Sequence, residues 1–267
     1  MSLTANSEPR LGSTHGVQVA ARTVMKASVN VGCSGWQYKH WRGDFYPAAL
    51  PATRWLEYYA THFDTVEINN SFYRLPLAET FAEWRRRVPS SFVYSVKASR
   101  YLTHMKKLKD PGPPVALFFS RARKLGRRLG PVLYQLPPRW PRNLERLETF
   151  LHALPKHVFH AIEFRDPSWY GDDTFALLTR HHVAMCLHDM AGSATGRRTV
   201  GPFLYLRFHG PQRYTGRYSD YVLDAWAEWC ASWHGQGMPV YAYFNNDAGG
   251  HAPRDAVRLR DRLLRLC

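Results

Sequence analysis

The sequence predicts an α/β fold, a single parallel (β/α)8 TIM barrel, on three observations. Eight strand-like runs alternate with helix-like or loop sequence, the pattern of parallel strands joined by crossovers. Each run has an apolar back and a polar front, with a polar side chain near its C-terminal end. No GxGxxG or GxxxxGK follows an early strand, which disfavours the runner-up, a doubly wound open sheet. A length of 267 residues suits one such barrel.

In chain order, residues 1–27 carry Ser, Thr, Asn, Gly and Pro without periodicity and are expected to form a disordered tail before a barrel domain at 28–267. The first strand is expected at 29–36. A helix follows from about 51, with Trp55, Leu56, Tyr59 and Phe63 at helical spacing. The stretch 65–73 opens as a β-branched run and predicts the second strand. Strict alternation puts Glu67, Asn69, Ser71 and Tyr73 on one face and Val66, Ile68 and Phe72 on the other. A helix is expected at 77–88, a strand at 92–97 and a helix at 115–129, after a basic loop holding Arg100, His104, Lys106, Lys107 and Lys109.

The fourth strand, 132–136, is stopped by Pro137-Pro138, and Asn143 is expected to cap a helix to Leu154. The fifth is expected at 159–165 and the sixth at 183–189, with a helix at 174–182 between them. The connection 191–202 lacks helical pattern. A strand at 203–209 is followed by a helix through Trp233 with Asp220 as its cap, and the last strand is expected at 240–245. A final amphipathic helix, 253–266, is expected to bury Ala256, Leu259, Leu263 and Leu266 and expose Arg258, Arg262 and Arg265.

Net charge is +15 with 36 Lys and Arg against 21 Asp and Glu, which favours anionic partners: an anionic small molecule or nucleic acid. No protein partner is implied. None of the four cysteines forms a Cys-x-x-Cys pair, so zinc-knuckle and thioredoxin chemistry is disfavoured and a reducing cytoplasm is expected. No apolar run is long enough to span a bilayer.

Barrel active sites sit at the C-terminal ends of strands. Ser34, Glu67, Asn69, Lys97, Gln135, Glu163, Arg165, His188, Arg207, His209, Tyr243 and Asn245 are the late inward positions. Glu67, Lys97, Glu163, His188 and His209 are the candidate catalytic groups; the others, with Trp36, Tyr38, Tyr73, His104, Trp169 and Tyr214, are candidate ligand contacts. Lys97, Arg165 and Arg207 against two carboxylates suggest an anionic ligand, with Arg207 expected to meet it. Glu67 and Glu163 can also be read as a glycosidase acid and base. Glu67, Glu163, His188, Asp189 and His209 offer donors for a divalent metal, without tight spacing. The bland alternative is a closed ion-pair network, Glu67 with Lys97 and Glu163 with Arg207, that only fills the barrel. Trp36, Tyr38, Trp41, Phe45, Tyr46, Tyr73, Trp169, Tyr214 and Tyr218 follow strands and are placed to stack sugars or bases.

From Val29 to the C-terminus the chain resembles the YecE-like domain-of-unknown-function family, number seventy-two of its series. The motifs are Val31-Gly32-Cys33-Ser34-Gly35-Trp36, Phe63 to Tyr73, Phe92 to Ala98, Gln135-Leu136-Pro137-Pro138, Glu163-Phe164-Arg165, Tyr205 to Gly210, and Tyr243 to Asp247. The resemblance implies a TIM barrel and no particular reaction. It also implies a fold-level likeness to endonuclease IV and sugar-isomerase barrels, whose His, Asp and Glu cluster around metals. The cations at this mouth argue against such a three-metal site. Three functions follow: binding or hydrolysis of a phosphate-bearing ligand, nucleic acid or a nucleotide; a carbohydrate-active hydrolase or isomerase using Glu67 and Glu163; and a non-catalytic nucleic-acid-binding barrel.

Overall fold

Eight parallel strands wind around one axis in the order β1-β8-β7-β6-β5-β4-β3-β2 in the computed structural model, which describes residues 27–267. The expected tail, but for its last residue, lies outside the described residues. The strands are β1 (Val29–Cys33), β2 (Thr65–Ile68), β3 (Val93–Lys97), β4 (Leu129–Gln135), β5 (His160–Glu163), β6 (Ala184–Asp189), β7 (Leu204–Phe208) and β8 (Val240–Phe244). The barrel is nearly closed. At the β1–β2 seam the Tyr59 hydroxyl donates to the Thr65 carbonyl at 3.0 Å and accepts from the Cys33 amide at 2.8 Å. A Cβ at Gly32 would stand 2.3 Å from the Thr65 carbonyl oxygen, so only glycine lets the two strands approach this closely.

The helices are α1 (Trp55–Ala60), α2 (Ala78–Arg86), α3 (Gly112–Ala122), α4 (Leu144–Ala153), α5 (Asp172–Arg180), α6 (Asp220–His234) and α7 (His251–Leu266). None lies between β6 and β7, as the missing pattern at 191–202 predicts. Outward strand residues such as Val66, Ile68, Val96 and Ile162 pack into a layer with helix residues such as Phe81, Phe119, Leu147 and Leu178. A smaller cluster of Leu133, Ala161, Ala184, Cys186, Phe203, Tyr205, Tyr241 and Tyr243 fills the barrel interior, where inward residues alternate with outward ones. Cys33 and Cys186 are buried thiols.

Four local expectations are corrected. The second strand ends at Ile68, and the chain turns into a 3-10 turn at Asn70–Phe72. The Ser71 hydroxyl lies 3.0 Å from the Ile68 carbonyl oxygen and 2.6 Å from that of Lys97, a local alternative to further strand pairing. The helix expected to reach 129 stops at Ala122. Gly126 adopts φ 60° in the following 3-10 segment, and Leu129 already pairs in β4. Ser219, not Asp220, caps α6 by accepting from the Val222 amide. On α7, Leu266 is exposed, while Arg258 and Arg262 lie over Asp220, Asp224 and Asp255 in ion pairs of 2.5–2.7 Å. Asn143 caps α4 as expected, accepting from Arg146 at 2.9 Å.

Candidate functional site

The polar strand ends converge on one mouth, and their connectivity divides them into two groups. The first is a buried knot centred on Arg207, which is 1% exposed near the end of β7. Its Nε and Nη2 donate to Glu67 of β2 at 2.8–3.2 Å, and its Nη1 donates to Glu163 of β5 at 2.9 Å. Glu67 also accepts from the Ser34 hydroxyl and, at 2.7 Å, from the Tyr205 hydroxyl. Glu163 also accepts from Arg165 and, at 3.0 Å, from Gln135. Arg165 Nη2 lies 3.0 Å from His209 Nε2, and the Asn245 side-chain nitrogen lies 3.0 Å from His209 Nδ1; both are donors, so a neutral ring accepts from one of them at a time. Burial would raise the Glu163 pKa, yet Arg165 and Arg207 together hold it well below the usual carboxylate range. Two carboxylates and two guanidinium groups balance.

The second group surrounds Lys97, the last residue of β3. The residue is 6% exposed, with Nζ 4.1 Å from the centroid of the Phe72 ring. Among the described residues no hydrogen bond or salt bridge reaches this ammonium. Burial first, and Arg207 second, lower its pKa to about 7. His104 packs edge-on against the same Phe72 ring at 4.9 Å. It belongs to a π-helical turn, Tyr101–Met105, a rare geometry enriched at functional sites. Burial and then Lys97 lower the His104 pKa to about 4, so its ring is neutral at neutral pH.

A cavity of about 510 Å³ opens above both groups. Of the expected residues, Tyr38, Asn69, Tyr73, Lys97, His104, Gln135, Arg207, His209, Tyr214 and Asn245 line it. Ser34, Glu67, Glu163 and Arg165 lie beneath, in the knot. Tyr243 is deeper, its hydroxyl 2.8 Å from Thr65 Oγ1. The His188 ring faces Thr195 at 2.8 Å and Ser193 at 3.2 Å. Trp36 packs behind the strands on Trp84, and Trp169 stacks on Phe164 with its indole N–H on the Trp140 carbonyl at 2.8 Å. Trp41, Tyr46 and Tyr218 are likewise buried. Sequence reasoning missed Phe72, Arg100 and Asp247 among the lining residues. Strict alternation hid Phe72, because the strand ends four residues before it. Arg100 and Asp247 stood inside segments already singled out, the basic loop and the Tyr243 to Asp247 motif.

The five candidate metal donors do not converge. The Asp189 carboxylate turns away to accept from the Trp226 indole at 3.2 Å. Among the described residues the cluster with ligand spacing is Glu148, His152 and His181, on the outside of α4 and at the end of α5. No helix of the described residues is long and apolar enough to cross a membrane.

Comparison with known proteins gives the family. The model of "Protein of unknown function DUF72" matches residues 30–266, and the chain belongs to that family. It is 31% identical over 144 residues to UPF0759 protein YecE of Escherichia coli (strain K12), covering 54% of this chain and 50% of that one, so the chain spans about half the length of this relative. It is 24% identical over 274 residues to UPF0759 protein YunF of Bacillus subtilis (strain 168), covering 88% and 94%. A DUF72 family protein of Thermotoga maritima superimposes with a TM-score of 0.81 at 28% identity, over 89% of this chain and 99% of that one. One from Enterococcus faecalis gives 0.72 at 19% identity over 88% and 95%, a likeness of fold.

Proposed function

We propose that the barrel mouth binds a small ligand carrying a phosphate or carboxylate group, and that any reaction on it takes place there. One observation carries the reading. Beneath the cavity the charges of Glu67, Glu163, Arg165 and Arg207 cancel, while Lys97 and Arg100 line it with no ion pair among the described residues. Asp247 is the lining carboxylate, with His40 3.7 Å away, so Lys97 and Arg100 leave a positive surplus in a partly desolvated cavity, which favours an anion. Tyr38, Tyr73 and Tyr214 offer flat rings for the rest of the ligand. A cavity of about 510 Å³ suits a sugar phosphate or mononucleotide better than a polymer.

Glycosidic hydrolysis by Glu67 and Glu163 gains no support. Both are fully buried with Arg207 bridging them, and a general acid needs a raised pKa while that of Glu163 is lowered. A nucleic-acid-binding barrel is the competing reading. The test is thermal stability with inorganic phosphate, sulfate and mononucleotides, beside oligonucleotide binding over a salt series. Wild type should be stabilised by small phosphates, and Arg100→Met should weaken that effect. A wild type indifferent to every small anion overturns the reading; oligonucleotide binding in that case supports the competing one.

A further inference from the structure

We propose that Lys97 Nζ is a nucleophile that condenses with the carbonyl of an anionic aldehyde or ketone, forming a protonated imine in the barrel mouth. The anionic part rests on the binding reading above, with Arg100 at the rim as the group that meets the charge.

The geometry argues against a structural lysine. The backbone of Lys97 is fixed: it pairs with Leu133, its carbonyl lies 2.6 Å from the Ser71 hydroxyl, and the next amide donates to Leu133 at 2.8 Å. Its side chain therefore leaves a rigid strand end into the cavity. A lysine kept for stability is paired when buried. Glu67 and Glu163 are near enough to act on Lys97 electrostatically, yet both spend their contacts on Arg207, Arg165, Tyr205, Ser34 and Gln135. Nζ instead stands over the Phe72 ring, whose face attracts a cation but offers no lone pair to bond its proton. Arg207 and Arg165 repel an ammonium there, and the neutral His104 ring packs edge-on against the same Phe72 ring. Lysines activated for carbonyl chemistry are desolvated and placed near another cation, as here. With its pKa lowered to about 7, about half of the amine is unprotonated at neutral pH.

The step balances without an oxidant or reductant. The unprotonated amine adds its lone pair to the carbonyl carbon and the C=O π bond opens. Oxygen gains a proton as nitrogen sheds one, giving a carbinolamine. The hydroxyl takes up one proton from solvent, replacing the one the ammonium released on becoming the free amine, and the nitrogen lone pair expels it as water to leave the protonated imine. The imine keeps the positive charge of the original ammonium.

The test traps the imine with sodium cyanoborohydride and locates the modified lysine by peptide mass spectrometry. Dihydroxyacetone phosphate and pyruvate serve as anionic carbonyls and formaldehyde as an uncharged one. The expected result is modification of Lys97 about tenfold or more faster than any other lysine at pH 7, with the rate rising through a midpoint near pH 7. Lys97→Arg should abolish the adduct at this position and leave the slow modification of the other lysines as it is in wild type. Arg100→Met should weaken trapping of the two anions and leave formaldehyde unaffected. Lys97 reacting no faster with formaldehyde than surface lysines overturns the proposal, even if phosphate still stabilises the protein. Fast reaction with formaldehyde, with neither anion trapped and no stabilisation by phosphate, overturns the anionic assignment and the binding reading with it.

Discussion

Arg207 and Lys97 lie at the C-terminal ends of two strands of the same barrel, on the same inner face, 1% and 6% exposed. Their surroundings differ. Arg207 reaches across the barrel to two carboxylates, and burial, which would lower its pKa, is overcome by Glu67 and Glu163 so that the pKa rises. Lys97 meets an aromatic ring, and burial wins. A buried cation therefore holds the fold or stands ready for a ligand according to who takes the nearby carboxylates. Arg wins them here because its planar fork serves two carboxylates at once, whereas an ammonium is a point charge.

The largest expected effect comes from breaking the satisfied half. Arg207→Met leaves two buried carboxylates short of their cation, a loss of roughly 3–5 kcal/mol. For a barrel of this size Tm should fall by about 10 °C. Phosphate should not restore it. A fall of only a degree or two would place Arg207 with the ligand groups and dissolve the contrast.

Glu163→Gln tests the same half through pH. A lowered folded pKa means that the Glu163 charge stabilises above the ordinary Glu value near 4.5 and that this is lost as pH falls below it. The variant should lose about 2 kcal/mol at pH 7, from weakened bonds to two guanidinium groups, and much less on going to acid. Equal losses at pH 7 and pH 3, read from denaturant midpoints, would mean that shape rather than charge matters at this position.

Lys97→Met should act with the opposite sign. The folded pKa is about 7 against 10.5 for an ordinary lysine. Below pH 7 both folded and unfolded chains carry the charge, and the desolvation penalty is present in full. Between about 7 and 10.5 the unfolded chain binds more protons, so wild-type stability from this group rises with pH. Methionine removes the penalty, and Tm at pH 7 should rise by about 3 °C, with the gain shrinking towards pH 10. A variant less stable than wild type at pH 7 would show that Lys97 is a paired structural residue after all.

How far these roles could be read from sequence depends on the kind of information each needs. Glu67, Lys97, Glu163 and Arg207 were legible as inward strand ends because alternation is a local property of a strand. Which cation takes which carboxylate was not, because Arg207 lies on β7, Glu67 on β2 and Glu163 on β5, far apart in sequence and joined only across the barrel. The expected pairing of Glu67 with Lys97 joined neighbouring strands and overlooked that reach. Phe72 was hidden for another reason. Alternation continues on paper after the ladder stops, and Asn69, Asn70 and Ser71, which favour turns, were the available warning. The seam at Gly32 and Tyr59 gave no local signal, since its purpose appears only once β1 and β2 face each other.

The smallest expected effect concerns the unpaired half alone. His104 and Lys97 share the Phe72 ring, and each counts among the influences on its surroundings. The burial that lowers the His104 pKa to about 4 keeps its ring uncharged throughout the range in which Lys97 titrates. An uncharged ring neither repels the ammonium nor, among the described residues, hydrogen-bonds to it; its Nδ1 is already 3.0 Å from Thr103 Oγ1. Its contribution to Lys97 is the exclusion of water, and a phenyl ring of similar outline excludes water as well. His104→Phe should therefore leave the midpoint of Lys97 modification within about half a pH unit of wild type, since half a unit is about 0.7 kcal/mol. The measurement is the pH profile of formaldehyde labelling at Lys97 in both proteins. A midpoint that moves up by a full unit or more would mean that the imidazole was lowering the lysine pKa as a charged neighbour. The low pKa would then come from a cation pair rather than from desolvation against Phe72, and the contrast with Arg207 would rest on charge repulsion instead of on a missing partner.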